Sequence, residues 1–252
     1  MSVKAARVEK SRSPGDDLEI IFVDLEASAA LLEAQEGDIP RLSPADIAHF
    51  DKMVADQKRQ RLWRLSRIAT RVVLERSAGT TQRNVDFIIA AGGRPSLAEE
   101  PPYFNVSHSG KALLIAVSKL GPVGVDLEQE RSLAMSDERR RRVVAAAAKL
   151  SSGTPLSADS DADVVKAWVC LEALSKALGT GIGRLLTAEG VIGGEGRASA
   201  ATDAPWLKVR DLELAHGHFA AVAADALPRS IEVVAFPRGA DGFAGFLPQH
   251  RT

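Results

Sequence analysis

The stretch that most constrains this chain is "FNVSHSGKALLIAVSKLGPVGVDLEQER", from Phe104 to Arg131. It reads as three short strands joined by two turns. Three strands in succession break any regular alternation of strand and helix, so the fold class is α+β with a mixed sheet rather than a doubly wound parallel sheet. Polar groups stand where the strands stop. His108 lies between Ser107 and Ser109, and Asp126 and Glu128 follow the apolar "VGV".

The surrounding chain supplies the other elements. "LEIIFVDL" (18–25) reads as a buried strand. Residues 43–79 begin with Ser43 as an N-cap and Pro44 at the first helical position, and are expected to hold two helices. In the second of these, Leu62, Leu65, Ala69, Val72 and Val73 form a helical stripe. "VDFIIAA" (85–91) is expected as a strand. Helices are expected over 136–150 and 164–178, the latter ended by Gly179. A polar loop (151–163) lies between them, and a Gly/Ala/Ser-rich hairpin or loop covers 189–204. "PWLKVRDLEL", "HFAAVAAD" and "IEVVAF" are three further strands, followed by a Gly/Pro-rich tail from Pro237. The order strand, helices, strands occurs on both sides of residue 125. This divides the chain into a tail (1–17), an N-terminal half (18–125), a C-terminal half (126–240) and a second tail (241–252).

Composition narrows the function classes. The net charge of −1 gives no global field for nucleic acid or an anionic membrane, so electrostatic recognition has to be local. The single cysteine, Cys170, excludes an internal disulfide framework and suits a reducing cytoplasm. No apolar run reaches about 18 residues, and the polar stretch from Met1 to Asp17 lacks the apolar centre of a signal peptide.

Several groups could carry chemistry. Asp126 and Glu128 are two apart, so a strand turns both carboxylates to one face and Leu127 to the other. Such a pair suits Mg²⁺ together with phosphate oxygens, although taken alone it reads first as a strand end entering a polar turn. Glu172 and Lys176 share a helical face with Trp168. An acid in so apolar a helix needs a partner, either Lys176 or a metal shared with the other two acids. His108 could bind phosphate, act as an acid or base, or satisfy a turn. No nucleophile elbow supports a hydrolase triad, and no His/Cys spacing suggests zinc. The basic run over 52–76 reads mainly as a solvated helix face, a subset of which could bind phosphate. "ERRRR" (138–142) reads as a solvated helix, or as a surface for an acidic partner.

The order of these pieces is more specific than any one of them. "GGRPSL", "FNVSHSG", "VGVDLE" and then Trp168-x-x-x-Glu172-Ala173-x-x-Lys176, with the closing "PWLKVRDLELAHGHFAAVAAD", resembles the surfactin-synthetase-type 4′-phosphopantetheinyl transferases over residues 40–236. The resemblance implies a pseudo-dimer of two similar α+β halves with coenzyme A in the cleft between them, acting as a monomer. It implies transfer of phosphopantetheine from coenzyme A to a serine of an apo acyl or peptidyl carrier protein. Asp126, Glu128 and Glu172 match that family's magnesium ligands. Lys176 matches the lysine at the pyrophosphate, and His108, with Ser107 beside it, a histidine on a coenzyme A phosphate. Arg67 falls at a nucleotide-phosphate arginine, and Arg94 replaces a lysine while keeping the charge. Catalysis is expected from Glu172, Lys176 and Asp126, with Glu172 as the base. One departure stands out: Leu171 occupies the place of a family lysine. That departure is the basis of the alternative reading, a catalytically weakened module that binds coenzyme A or the carrier.

Overall fold

The computed structural model describes residues 17–53, 56–90, 93–150, 155–188, 207–214 and 217–247. The expected loop over 189–204 lies outside the described residues. The fold is α+β, as the succession of strands requires. Strand β1 (Leu18–Asp24) is followed by α1 (Ala29–Asp38), α2 (Pro44–Lys52) and α3 (Gln57–Ala78). A two-residue ladder, β2 (Ile88–Ile89) with β3 (Pro95–Ser96), precedes β4 (Tyr103–Ser109), β5 (Ala112–Ser118) and β6 (Val123–Gln129). Next come α4 (Asp137–Ala148), α5 (Asp161–Leu178), α6 (Ile182–Ala188), β7 (Lys208–Leu212), β8 (His218–Ala224), β9 (Val233–Ala235) and α7 (Ala240–Phe246).

Two sheets carry the fold. One has the order β4-β5-β1-β9 and is antiparallel except where β9 returns alongside β1; the other, β6-β8-β7, is antiparallel throughout. Strand alternation sends each face to a different core. Ile21, Val23, Leu113, Ile115 and Val117 pack with Leu65, Ala69, Val72 and Val73 of α3. Ile20, Leu114 and Ala116, on the opposite face, meet Val123, Val125 and Leu127 of β6 and Ala220 and Val222 of β8. Ala221 and Ala223 turn away from that seam toward α4 and α5. The result is a stack of helix, sheet, sheet and helix. Among the described residues no helix is long and apolar enough to cross a membrane.

Local chemistry sets the helix ends. Ser43 accepts from the backbone of Asp46, and the Asp46 carboxylate answers the backbone of Ser43, a reciprocal capping box with Pro44 just inside it. Asp56, Ser136 and Ser160 cap α3, α4 and α5. Gly179 ends α5 at φ 68°, a left-handed position that glycine adopts without strain.

The structure departs from the sequence reading in three places. Among the described residues of the strand expected over 85–91, only Ile88–Ile89 pair, and both are exposed, so no sheet face buries them. Helix α5 starts at Asp161 rather than 164, because Ser160 is its cap. The stretch after Pro237 contains α7, which seats Phe243 and Phe246 in the first core beside Phe236. The arginine run over 138–142 is also partly internal. Arg140 donates to the carbonyls of Leu133, Met135 and Ala158 and pairs with Asp161.

Candidate active site

Strands β4 and β6, each at the end of its sheet, lie against one another where the two sheets stack, and side chains do the joining. Asn105 Oδ1 accepts from the backbone N–H of Val125 at 3.0 Å, and Ser109 Oγ accepts from that of Gln129 at 3.2 Å. Donors on the open edge of β6 are thereby satisfied without a backbone ladder. Asn105, Ser107 and Ser109 share one face of β4 by their spacing of two, and that face also meets the acids. Ser107 donates to Asp126 at 2.7 Å, and Ser109 to Glu128 at 3.3 Å. His108 points to the other face of β4 and is exposed.

Helix α5 approaches the opposite side of β6. Gly124 makes this possible: a Cβ there would lie 2.1 Å from the Ala173 carbonyl and 2.4 Å from the Ala177 nitrogen. With helix and strand in that contact, Lys176 reaches Asp126. Its Nζ lies 2.6 Å from Asp126 Oδ1 and 3.0 Å from Ser107 Oγ. The sequence left Lys176 or a metal as the partner of Glu172; in the structure the ammonium pairs with Asp126. Asp126 is 4% exposed, and its second oxygen, Oδ2, is buried with no hydrogen-bond partner among the described residues.

Glu172 carries the electrostatic cost of this crowding. Burial pushes its carboxyl above the usual carboxylate range, and Asp126 and Glu128 push it further, while Lys176 partly offsets them. Among the described residues no three His, Cys, Asp or Glu side chains are gathered closely enough to hold a metal.

A cleft of about 500 Å³ runs across β4 between α3 and α5. Glu172 and Lys176 line one wall, Arg67 the other, with Arg94 and His108 between them. Arg67 is held by Asp46 at 3.1 Å and lies over the rings of Trp63 and Phe87. Burial lowers its proton affinity, which Asp46 counteracts and Arg71 reinforces. Arg94 sits beside the C-cap of α5 with a buried, unpartnered Nε. Five of the residues singled out in the sequence thus line one cleft. Ser107, Asp126 and Glu128 form the seam behind Lys176.

The sequence reading passed over Asn105 and Gly124. Asn105 was legible as the first of three polar residues at spacing two in "NVSHS", a pattern that marks one polar face on an otherwise apolar strand. Gly124 carried no signal, because its need arises from a helix forty-nine residues away that the sequence does not place against it. A second cavity of about 440 Å³ also escaped notice; it adjoins the first at Ser66 and His108 and contains Trp63, Lys58 and Arg59. Leu171, at 0% exposure, packs into the core shared by α4, α5 and β8, not into the cleft.

No family model matches the chain. A protein of Synechocystis sp. that is named as a candidate 4′-phosphopantetheinyl transferase is 33% identical over 90 residues, 34% of this chain and 36% of the relative. The chain therefore spans little more than a third of the length of the relative it matches.

Proposed function

We propose that the protein transfers the 4′-phosphopantetheine arm of coenzyme A to a serine of an apo acyl or peptidyl carrier protein, as a surfactin-synthetase-type enzyme using Mg²⁺. The observation that carries this reading is the pairing of two unlike walls around one cleft. Cationic Arg67 stands on one side, Glu172 and Lys176, backed by Asp126 and Glu128, on the other, and Arg94 and His108 lie between them. A phosphate-rich substrate and a proton to be removed call for those two walls. The similarity over 90 residues to a relative named for this transfer agrees with it.

The chemistry of the donors suits a hard divalent cation, and the three carboxylates would have to draw together to hold one. Asp126 keeps a buried oxygen without a partner among the described residues, and Asp126 and Glu128 are near enough to Glu172 to raise its carboxyl. Asp126, Glu128 and Glu172 would hold Mg²⁺, which when bound supplies positive charge against the pyrophosphate and its leaving oxygen.

The chain's own groups do the rest. Arg67, Arg94 and His108 bind phosphate oxygens and fix the donor along the cleft, leaving its phosphorus open to the incoming serine. Glu172 accepts the proton from the serine hydroxyl, and its upward-shifted carboxyl makes it a better base than an exposed acid. The serine oxygen bonds to the phosphorus that bears the pantetheine arm, the bond from that phosphorus to the nucleotide's bridging oxygen breaks, and 3′,5′-ADP leaves with the electron pair. Lys176 holds a phosphate oxygen as charge moves onto the leaving group. Both cleft walls belong to one chain, which supports a monomer built of two halves, and the single buried thiol suits the cytoplasm.

Incubation with coenzyme A, Mg²⁺ and a panel of apo carrier proteins tests the reading. Intact-mass measurement should show a carrier gaining one phosphopantetheine, and Glu172→Ala should abolish the gain. No gain on any carrier overturns it.

A further inference from the structure

Lys176 lies on Asp126 in a geometry that leaves little room for a second cation on the same oxygen. Nζ is 2.6 Å from Oδ1, and Ser107 Oγ bridges the two at 2.7 and 3.0 Å. The carboxylate is 4% exposed, so the ammonium is the charge that makes its burial tolerable. The other oxygen of the same carboxylate, Oδ2, is buried and accepts no hydrogen bond among the described residues. An acid held by one cation through one oxygen, with its second oxygen kept dry and idle, is half of a site. The closed alternative exists in the same molecule, where Asp46 uses both oxygens on Ser43, Arg67 and Arg71.

We propose that Lys176 is a resident counter-ion that holds the acidic site in shape when no divalent cation is bound, and that it leaves Asp126 for the cleft when one arrives. This rests on the proposed use of Mg²⁺ and adds to it an exchange of one cation for another. Two features make the exchange possible. Lysine is a compact charge on a flexible stem, with no fork to lock it to a carboxylate. Its side chain is also 26% exposed and borders the cleft, so the ammonium has a solvated place to go. The displaced lysine then lies where the donor's phosphate oxygens enter. Binding of the divalent cation and of the phosphates is coupled through this one side chain: each favours the arrangement the other needs.

The test is metal binding without any substrate, read by calorimetry with Mg²⁺ and by the spin resonance of Mn²⁺ at pH 8, beside the thermal midpoint with and without metal. Lys176→Met keeps the stem and removes the competing charge. It should unfold earlier than wild type without metal, bind the cation tighter by about tenfold or more, and gain more from added metal. Lys176→Arg keeps a cation on Asp126 and should bind metal no better than wild type. Ser107→Ala removes one of the two bonds that hold the ammonium and should tighten metal binding by a smaller factor, which guards against a Met variant that fails to fold. Equal or weaker metal binding by Lys176→Met or by Ser107→Ala overturns the exchange, as does the absence of binding to wild type and every variant. The carrier mass shift is judged separately. Transfer by wild type with no tightening in the variants sinks the exchange alone, and tightening without transfer to any carrier sinks the transferase reading alone.

Discussion

Asp46 and Asp126 are both buried acids, 6% and 4% exposed, and both are answered by basic side chains. Asp46 sits in the first turn of α2, where its Oδ2 accepts from Ser43 N and Arg71 Nε while Oδ1 faces Arg67 at 3.1 Å. Every lone pair of consequence is used, by a helix cap and two planar guanidinium groups. Asp126 gives both of its contacts to one oxygen and takes them from a hydroxyl and a flexible lysine. One acid is a clamp that ties α2 to α3; the other is held only well enough to stay folded. The contrast separates an acid whose contacts are complete from one whose contacts are not. Burial is equal, and the number of free lone pairs differs.

Replacing a member of the open group should therefore cost activity and spare the fold. If Glu172 is the base of the proposed transfer, Glu172→Gln is expected to lower it by about a hundredfold to ten-thousandfold, the range for losing a general base, read from the rate at which a carrier gains mass. The same change removes the repulsion that Asp126 and Glu128 exert on Glu172. The variant should be at least as stable as wild type, with a gain kept below about 1 kcal/mol by solvent screening. A clear loss of stability would place Glu172 among the clamps instead.

The closed group should behave in the opposite way. Asp46→Asn leaves Arg71, almost fully buried, and Arg67 without their carboxylate, and is expected to lower stability by about 3–5 kcal/mol in urea or guanidinium unfolding. The proposed phosphate binding through Arg67 should weaken as a consequence, since Asp46 holds its guanidinium. A change under about 1 kcal/mol would break the comparison, because Asp46 would then be no clamp.

These two acids also show what the sequence could and could not reveal. Asp126 and Glu128 were legible as a pair because strand alternation is a property of spacing alone, and Glu172 and Lys176 were legible as a helical pair for the same reason. Which cation meets which anion was not, because Lys176 reaches Asp126 only after α5 has packed on β6. The long helix at Gln57–Ala78, its neighbour capped by Ser43, and the three strands from Tyr103 to Gln129 followed from caps and periodicity. Residues 85–91 misled because only Phe87 of "FIIA" finds the core while Ile88 and Ile89 stay exposed, and Pro237 misled because Gly and Pro between three phenylalanines conceal a short helix. Leu171 could be seen only as a departure from a pattern. Its place in the core, fully enclosed, gives the physical reason a charged residue does not suit that position in this chain.

The contact that unites the open group is itself open to attack. Gly124→Ala would put a Cβ 2.1 Å from the Ala173 carbonyl, a backbone atom that cannot swing aside. Helix α5 would have to move away from β6, at a cost of about 1–3 kcal/mol by analogy with overpacked cores. The effect on transfer should exceed the effect on stability, because Lys176 and Glu172 ride on that helix and Asp126 on that strand. Equal unfolding midpoints for Gly124→Ala and wild type, with equal rates, would mean the close approach is not what positions the site.

The smallest effect is expected from pH, and it extends the closed class to a third acid. Glu75 is buried, which alone would raise its carboxyl, but hydrogen bonds from Arg83 and Arg41 outweigh burial and hold it below its ordinary value of 4.5. The folded state thus binds this proton more weakly than the unfolded chain does. Stability from Glu75 is fully present above that ordinary value and drains away as the pH falls through the lower, folded one. Glu75→Gln abolishes the titration while also losing the charge, so its midpoint should be lower throughout but fall less steeply as the solution is acidified. Other carboxylates titrate in the same range in both proteins, and the comparison lies in the difference between the two curves. That difference should narrow from about pH 5 downward. Curves that stay parallel on acidification would show that Arg41 and Arg83 do not favour the charged form of Glu75, and the closed class would shrink to Asp46 alone.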